Sequence, residues 1–542
     1  MVGVNRGSMR IKVLSGKKEL SIESHQNQNL LAMLQENNIN VSNNCHGNGT
    51  CGICKIKVVE GYLPVTEADK RSLTENEVKQ GIRLACKAKI DKKSEEREEL
   101  WIEIVGALEE DIVVEAMSKK KLRKDFQDTN YFIAIDIGTT TIAMALISEE
   151  TGEIVDVYTS VNHQRKYGAD VISRIVAAND GKAEELKKLI EEDLWKGIKS
   201  LLPEGIRSEC SKENDVVTKV ITNECDTKKR KTNLNRIIIS GNTTMIHLLM
   251  GYSCESLGKY PFISEHLEKI ECKWNNTPVT ILPGISAFVG GDIVAGILAC
   301  PKFETEELSL LIDLGTNGEM VLGNGDRLLT ASAAAGPAFE GGNIICGTAA
   351  VPGSICQVKI QNQRAVVRTI KNEMPPIGIC VSGLISIMAQ LKANRLIKLD
   401  GELMIPYNEK GFPLWIFENG EKIALYQKDI REFQMAKAAV RAGIDILMEE
   451  YGCTPEEIEN VYVAGGFGKA IDIEDMMTIG MLPEEFEDKI SIVGNSALQG
   501  AVCFGKDRET RKQIENICRR AENITLSEKT EFQKKYLKYM KL

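Results

Sequence analysis

Short runs of alternating apolar and polar residues, separated by turn residues, fill the first hundred positions of the chain. Residues 9–24 alternate on both sides of a turn at 15–17, which predicts a β-hairpin. Residues 29–37 place leucines on one helical face, and residues 55–60 and 83–87 follow the pattern of strands. This part of the chain is therefore expected to form a small domain of strands and one short helix.

Longer apolar runs follow after the first 130 residues and end in small polar turns. The run 131–137 predicts a buried strand that carries Asp136 near its end and leads into Gly-Thr, and a second strand follows at 142–147. A similar unit returns at 310–319, where Asp313 opens the sequence Asp-Leu-Gly-Thr. Two such units indicate an internal repeat.

A second kind of unit also occurs twice. The strand pattern at 237–244 ends in a small-residue turn and runs into a helical pattern at 245–250, and the run 461–468 does the same with a glycine pair. The order strand–Asp-x-Gly-Thr, then strand–turn–helix, is thus duplicated at the scale of a domain. The duplication predicts two like halves that face a cleft.

Composition and charge exclude several classes of function. Of the 542 residues, 43% are hydrophobic and 27% are charged, which is ordinary for a globular protein, and the net charge is −9. An acidic chain argues against broad binding of nucleic acid. The most apolar window, 281–300, carries Pro283, several glycines and Asp292, so we expect no membrane span. The start of the chain lacks the apolar core of a signal peptide, and the expected cellular location is the cytoplasm.

Four of the fifteen cysteines follow the spacing C-x5-C-x2-C-x31-C, and glycines separate the first three. A [2Fe–2S] cluster takes three thiolates from one glycine-rich loop and a fourth from elsewhere in the fold. A structural zinc site would usually need two C-x2–4-C pairs, and only one is present. The other eleven cysteines are scattered and are expected to be small buried residues. The spacing resembles the adrenodoxin and putidaredoxin branch of the ferredoxins, and the expected ligands are Cys45, Cys51, Cys54 and Cys86.

The repeated units resemble the actin-like ATPases, the superfamily of acetate and sugar kinases, heat-shock chaperones and actin. The resemblance implies that the two Asp-x-Gly-Thr hairpins grip the phosphates of ATP and that the late glycine pair lines the adenosine. Glycine lets backbone N–H groups approach phosphate oxygens, threonine hydroxyls donate further bonds, and a carboxylate at a strand end can hold Mg²⁺ through water. Asp136 and Asp313 are the expected catalytic carboxylates. The expected nucleotide-binding residues are Gly138, Thr139, Thr140, Thr141, Gly315, Thr316, Asn317, Gly318, Gly465 and Gly466.

Further runs at 162–174, 283–292, 335–342 and 427–434 resemble the reductive activators of corrinoid enzymes, in which a ferredoxin domain is fused to an actin-like ATPase. The resemblance implies ATP-dependent reduction of an inactive Co(II) corrinoid to Co(I), with electrons passing through the [2Fe–2S] cluster. Because the chain has no D-x-H-x-x-G corrinoid signature, the corrinoid is expected on a partner, the corrinoid protein of a methyltransferase system. The resemblance also implies a low-potential donor of the ferredoxin or flavodoxin type, and a homodimer is an expectation of the resemblance alone.

One serine is a candidate for contact with the corrinoid. The small-residue run 330–337 would let a planar group or a partner loop approach closely, although such runs are usually packed turns. A serine in this region is thought to face the cobalt in the resembling activators, and Ser332 is the candidate for that catalytic role, with Ser309 and Ser354 as alternatives.

The expected fold is therefore an α/β multidomain chain with four parts: a β-grasp [2Fe–2S] ferredoxin-like domain (1–92), a charged linker (93–130), and the two halves of a duplicated actin-like, ribonuclease H-like ATPase (131–305 and 306–542). No separate middle domain fits between the linker and the ATPase. Two other functions stay open: a small-molecule kinase with Asp292 or Glu340 as its acid, and a chaperone-like ATPase regulated by a redox cluster.

Overall fold

The structure is a computed structural model, and it describes residues 10–15, 18–23, 29–37, 39, 41, 54–73, 75–90, 99–104, 130–202, 233–371, 374–466, 471–507 and 509–542. These residues divide into two compact units. The first holds the N-terminal sheet together with His163–Leu186, and the second holds the other residues from 130 onward.

The N-terminal sheet has five strands in the order β2-β1-β5-β3-β4 in the part that the structure describes. The predicted hairpin, helix and first later strand are all present. The elements are β1 (Arg10–Ser15), β2 (Lys18–Glu23), α1 (Leu30–Glu36), β3 (Lys55–Glu60), α2 (Glu67–Ser72), α3 (Glu75–Lys79), β4 (Ile82–Leu84) and β5 (Glu99–Ile104). Strand β5 runs parallel to β1 and antiparallel to β3, so it is the central strand of the sheet.

The position of β5 corrects the predicted boundary of this domain. The sheet does not end by residue 92, because its central strand lies within the segment expected to be a linker, 93–130. Leu100, Ile102 and Ile104 are buried in the same core as the side chains of β1 and β3. Their alternation was obscured by the charged residues around them. The rest of that segment, 105–129, lies outside the described residues.

Two six-stranded sheets, which share the topology of five strands and differ in the edge that the sixth strand extends, form the second unit. One has the order β10-β11-β9-β6-β7-β8 and the other the order β21-β20-β12-β13-β14-β22. The strands of the first are β6 (Asn130–Ile137), β7 (Thr141–Ser148), β8 (Ile154–Val161), β9 (Asn233–Gly241), β10 (Ile270–Trp274) and β11 (Thr277–Ile281). Those of the second are β12 (Ser309–Leu314), β13 (Gly318–Gly323), β14 (Leu328–Ala333), β20 (Asn460–Gly465), β21 (Ile490–Gly494) and β22 (Ala521–Asn523).

The same connectivity is used in both sheets. Three consecutive antiparallel strands are followed by two parallel ones, β9 and β11 in the first sheet and β20 and β21 in the second. Parallel neighbours need a crossover, and the helices supply it. This repeat of topology confirms the predicted duplication and the α/β fold class.

Helices and small sheets complete the second unit and the segment His163–Leu186. The helices are α4 (Val171–Ala177), α5 (Ala183–Leu201), α6 (Thr243–Met250), α7 (Gly291–Ala299), α8 (Val381–Ala393), α9 (Tyr407–Lys410), α10 (Gln427–Tyr451), α11 (Ile473–Thr478), α12 (Ser496–Lys506), α13 (Thr510–Arg520) and α14 (Thr530–Tyr539). The remaining strands are β15 (Ser354–Gln361), β16 (Arg364–Thr369), β17 (Gly378–Ile379), β18 (Phe412–Ile416) and β19 (Lys422–Leu425). Within the part of the chain that the structure describes, none of the helices is long and apolar enough to cross a membrane.

Helices α7 and α12 lie in the core shared by the two large sheets. A Cβ at Gly500 would lie 1.9 Å from the carbonyl oxygen of Ala295, so only glycine allows the helix backbones to come this close. Side chains of β6 and β12 belong to the same cluster as these helices. The close helix pair therefore fixes how the two duplicated sheets face each other.

Candidate functional site

The two Asp-x-Gly-Thr turns open onto one cavity of the second unit. Both are tight hairpin turns: the Gly138 N–H donates to the Thr141 carbonyl at 3.0 Å, and the Gly315 N–H donates to the Asn317 carbonyl at 2.9 Å. A Cβ at Gly138 would lie 2.7 Å from the Thr141 oxygen, so the turn requires glycine there. Most of the predicted nucleotide residues line this cavity, namely Asp136, Gly138, Thr139, Thr140, Thr141, Asp313, Gly315, Thr316, Asn317, Gly465 and Gly466.

Two asparagines that the sequence did not single out also line the cavity. Asn242 caps α6 by accepting from the Met245 N–H at 3.0 Å, and its Nδ2 donates to Thr139 Oγ1 at 3.1 Å. Asn495 caps α12, and its Nδ2 donates to Asp136 Oδ2 at 2.8 Å. Each asparagine thus begins a helix and orients one residue of the first turn. The signal was a Gly-Asn pair that ends a strand and starts a helix in both halves.

Five carboxyl groups face the cavity: Asp136, Asp292, Asp313, Glu319 and Glu340. Burial, with a further contribution from Asp292, raises the pKa of Asp136 to about 7 even though Asn495 donates to it. Burial and the nearby acids raise the pKa of Asp313 to about 8, and burial raises that of Asp292 to about 6. The pKa of Glu319 also lies well above its ordinary value for the same reasons. A cation in this cavity would relieve the repulsion among these groups.

The residues present fit a magnesium nucleotide. Thr316 lines the cavity, and its buried Oγ1 has no hydrogen-bond partner among the described residues, so one hydroxyl of the site is left unpaired. A Cβ built on Gly466 would meet nothing within 4 Å, which leaves space beside the glycine pair. Carboxylate oxygens are the ligands that Mg²⁺ prefers. No three acidic, histidine or cysteine side chains in the described ranges converge on a single metal position, so a bound Mg²⁺ would be held here largely through water.

Glu340 connects the two Asp-x-Gly-Thr turns. It accepts a hydrogen bond from Thr140 Oγ1 and another, at 3.1 Å, from the Thr316 N–H. It belongs to the short 3₁₀ turn Pro337–Glu340, which follows the second hairpin. One carboxylate therefore contacts donors from both halves of the duplicated fold.

Two predicted site residues do not line the cavity. Gly318 begins β13, where a Cβ would lie 2.8 Å from Val440 Cγ2, so this glycine serves close packing against α10. Ser332 is half-buried on β14, directly opposite Glu319 on β13. Directly paired residues point to the same face of a sheet, which puts Ser332 on the face of Glu319. Its contact with a corrinoid stays a prediction.

The N-terminal unit brings two of the four predicted cluster ligands together. Cys54 and Cys86 are buried, and the Ala85 N–H donates to the Cys54 carbonyl at 2.8 Å. Asn29 Nδ2 donates to the Cys86 carbonyl at 2.6 Å. Cys86 lies in a turn after β4 rather than within a strand as expected. The backbone of Cys54 is thus bonded to the residue before Cys86, which suits two ligands of one thiolate-ligated cluster. Cys45 and Cys51 lie outside the described residues.

Comparison with known proteins assigns each part of the chain. A 2Fe-2S iron-sulfur cluster binding domain matches residues 13–91, and the C-terminal domain of RACo, described as the ASKHA domain, matches 307–542. The corrinoid activation enzyme RamQ of Eubacterium limosum is 32% identical over 434 residues, which cover 75% of this chain and 69% of that relative. The chain belongs to the family of reductive activators of corrinoid enzymes.

Other relatives of this family agree. A [Co(II) methylated amine-specific corrinoid protein] reductase of Methanosarcina barkeri is 32% identical over 250 residues, 41% of this chain and 44% of that protein. The solved structure of a reductive activator for a corrinoid,iron-sulfur protein is 27% identical, with a TM-score of 0.67 and 98% of each chain covered. The predicted membership of this family is confirmed.

The family's middle region is present in this chain. A model of the RACo middle region matches 131–225 and 211–302. The described part of these residues contains the first six-stranded sheet, β6 to β11. The expectation that the chain has no room for a middle domain was wrong. The middle region is the first half of the duplicated ATPase.

Proposed function

We propose that this protein uses ATP to reduce the inactive Co(II) corrinoid of a partner protein to Co(I), with electrons passing through a [2Fe–2S] cluster held by Cys45, Cys51, Cys54 and Cys86. One observation carries the proposal. In a chain of the corrinoid-activator family, both Asp-x-Gly-Thr turns meet at a single carboxylate-lined cavity. The cluster would supply one-electron transfer.

The nucleotide would bind between the two halves. The proposed phosphate donors are the hydroxyls of Thr139, Thr140 and Thr316, which lie on opposite turns of the cavity. Gly138 and Gly315, which have no side chain, would let the phosphates approach the turns closely. Asp136 and Asp313 would hold Mg²⁺ through water. Thr141, Asn317 and Gly318 would support the turns, and Gly465 and Gly466 would line the adenosine.

ATP is needed in this proposal because the electron transfer runs uphill. A plant-type cluster has a potential near roughly −400 mV, and the proposed Co(II)/Co(I) target lies lower. Each ~59 mV of gap in a one-electron step corresponds to ~1.4 kcal/mol. Binding and hydrolysis of ATP between the halves would provide this energy by changing the affinity for one form of the partner.

The proposed partners follow from the relatives' names. One relative is named a corrinoid activation enzyme, and another is named a reductase of a Co(II) methylated amine-specific corrinoid protein. We propose a methyltransferase corrinoid protein as substrate, a low-potential ferredoxin or flavodoxin-like protein as donor, and a homodimer as the assembly. A reducing cytoplasm is the proposed site of action, since thiolate ligands persist there.

Ser332 remains the candidate for contact with the corrinoid. Ser332→Ala is expected to slow reduction of the corrinoid severalfold while the ATP affinity stays as in wild type. Ser309→Ala changes an alternative candidate, a serine that is buried at the other end of the sheet on β12, and should leave the reduction rate as in wild type if Ser332 has the role. Equal reduction rates in the wild type and the Ser332 variant would remove this role.

Anaerobic absorption spectroscopy tests the whole proposal. The protein, a Co(II) corrinoid protein and a low-potential reductant are mixed with Mg²⁺ and either ATP, a non-hydrolysable ATP analogue or no nucleotide. Co(I) is expected to accumulate catalytically only with ATP. Equal Co(I) formation in all three samples would show that the nucleotide has no part in the reduction.

A further inference from the structure

The Glu340 carboxylate lies between the donors of the two phosphate turns. Thr140, on the first hairpin, donates its hydroxyl to Glu340, and the backbone N–H of Thr316, on the second hairpin, donates to Glu340 Oε1 at 3.1 Å. Glu340 Oε1 also lies 3.4 Å from the position that a Cβ on Gly315 would take, so the carboxylate sits against the turn itself. One side chain thus occupies donors from both halves of the ATPase.

A phosphate group would need these same donors. Carboxylate and phosphate oxygens are both anionic acceptors, and each forms short charge-assisted bonds with hydroxyl and backbone donors. The Glu340 carboxylate already adds to the negative charge in the cavity, since it contributes to the raised pKa of Asp313. A phosphate and the Glu340 carboxylate would therefore compete for the same hydrogen-bond donors, and their negative charges would repel each other.

The chain around Glu340 returns to the cavity after a short loop. Gly341 has a φ of 77°, and a Cβ there would lie 2.6 Å from the Thr348 carbonyl oxygen, so the loop closes tightly behind Glu340. Its outer part is attached to α10, where Asp429 Oδ1 accepts from the Ile345 N–H at 2.8 Å and Glu432 accepts from Asn343 at 3.1 Å. The loop is held independently of Glu340, so the carboxylate can leave the donors without releasing the loop.

On the basis of the proposed nucleotide site, we propose that Glu340 is an internal competitor for the phosphate donors of Thr140 and Thr316 and thereby determines nucleotide specificity. A nucleotide whose phosphate chain is long enough to reach these donors must displace the Glu340 carboxylate. A nucleotide without that phosphate leaves the carboxylate in place. The competition lowers the affinity for the longer nucleotide and sets the ratio of the affinities for ATP, ADP and AMP.

Nucleotide titrations of the full chain in the presence of Mg²⁺ test this inference. ATP, ADP and AMP are titrated into the wild type and into Glu340→Ala, Glu340→Gln and the control Glu432→Gln. In Glu340→Ala the Kd for ATP should fall about tenfold, equivalent to about 1.4 kcal/mol, while the Kd for AMP changes less than twofold. Glu340→Gln should give an intermediate Kd, because the amide oxygen is a weaker acceptor that still occupies the donors. Glu432→Gln alters an attachment of the same loop and should leave the ATP to AMP ratio unchanged.

Each outcome decides between the inference and the site on which it rests. An unchanged ATP to AMP ratio in both Glu340 variants, with normal ATP binding by the wild type, would overturn the competition and leave the proposed function intact. Equal gains for all three nucleotides would also overturn it, because only the nucleotides that reach these donors would compete with Glu340 for them. A wild type that binds no nucleotide would remove both proposals. Thermal melting of the variants without nucleotide checks that each is folded, and the isosteric Gln variant keeps the test available if Ala unfolds.

Discussion

At the scale of single residues, the carboxyl groups crowded in the cavity are expected to lower the stability of the fold while they serve the proposed function. The pKa of Asp313 rises from its ordinary 3.8 to about 8 through burial and the nearby acids. Between about pH 4 and pH 8 the folded state therefore binds a proton that the unfolded state has lost, and the stability of the nucleotide-free protein falls as the pH rises.

Asp313→Asn should remove this penalty and also remove catalysis. We expect the melting temperature of the nucleotide-free variant to exceed that of the wild type by more at pH 8 than at pH 5. ATP turnover should fall on the order of a hundredfold or more, because the carboxylate that would position Mg²⁺ is lost. Melting curves at both pH values and a phosphate-release assay measure the two effects. Asp326→Asn, at an exposed aspartate, is the control and should change neither. A pH-independent difference in melting temperature would contradict the raised pKa.

The cysteines offer a second test at this scale. Cys86→Ser should lose the visible absorption and the acid-labile sulfide of a [2Fe–2S] cluster, because a hydroxyl is a poor substitute for a thiolate ligand. ATP binding should stay within about twofold of wild type, since the nucleotide cavity lies in the other compact unit. Cys272→Ser, at a half-buried cysteine of β10, should keep the cluster. A Cys86 variant with normal iron and sulfide content would exclude this ligand.

The same residues show what the sequence could and could not predict. Asp136 and Asp313 could be found because each lies near the end of a continuous apolar strand and opens an Asp-x-Gly-Thr turn. Asn242 and Asn495 lie 253 positions apart, and only folding brings both to the first turn. Glu340 was considered only as the acid of the alternative kinase, and its contacts with both turns could not be predicted, because they depend on the packing of both halves.

At the scale of secondary-structure elements, β5 is the strand whose importance the sequence concealed. It lies between β1 and β3, and Ile102 on it is fully buried while Glu103 beside it is exposed. Two of its six residues are acidic, and a run of charged residues precedes the strand, so local composition favoured a linker. Long-range pairing overrode that local preference, as it often does in sheets.

Ile102→Asp in the full chain tests the role of β5. A carboxylate at a fully buried position of a central strand should unfold the N-terminal sheet, since burying an unpaired charge costs several kcal/mol. The cluster content should therefore fall to background, while ATP affinity and turnover remain near wild type. Glu103→Ala is the matched control on the exposed face and should retain the cluster. Normal cluster content in Ile102→Asp would contradict the strand order of the sheet.

At the scale of the whole molecule, the two units carry different chemical groups, and both are needed for the proposed reduction of the corrinoid. The N-terminal unit carries the four predicted cluster cysteines, and the second unit carries the cavity proposed to bind the nucleotide. Duplicated topology made the second unit predictable from repeated motifs, because the same local sequence builds the same hairpin twice. The end of the N-terminal domain was less predictable, because it depends on the sheet with which β5 pairs.

Mixing two inactive variants tests whether one chain must supply both parts. Cys86→Ser lacks the proposed cluster but keeps the ATP site, and Asp313→Asn lacks turnover but keeps the cluster. Modules joined on one chain meet at a higher effective concentration than separate chains at micromolar levels. We therefore expect the mixture to reduce the Co(II) corrinoid protein no faster than either variant alone, and anaerobic spectra at several mixing ratios measure the rate. Recovery of a substantial fraction of the wild-type rate at equal amounts would instead show that the cluster of one chain serves the nucleotide site of another, as in a functional homodimer.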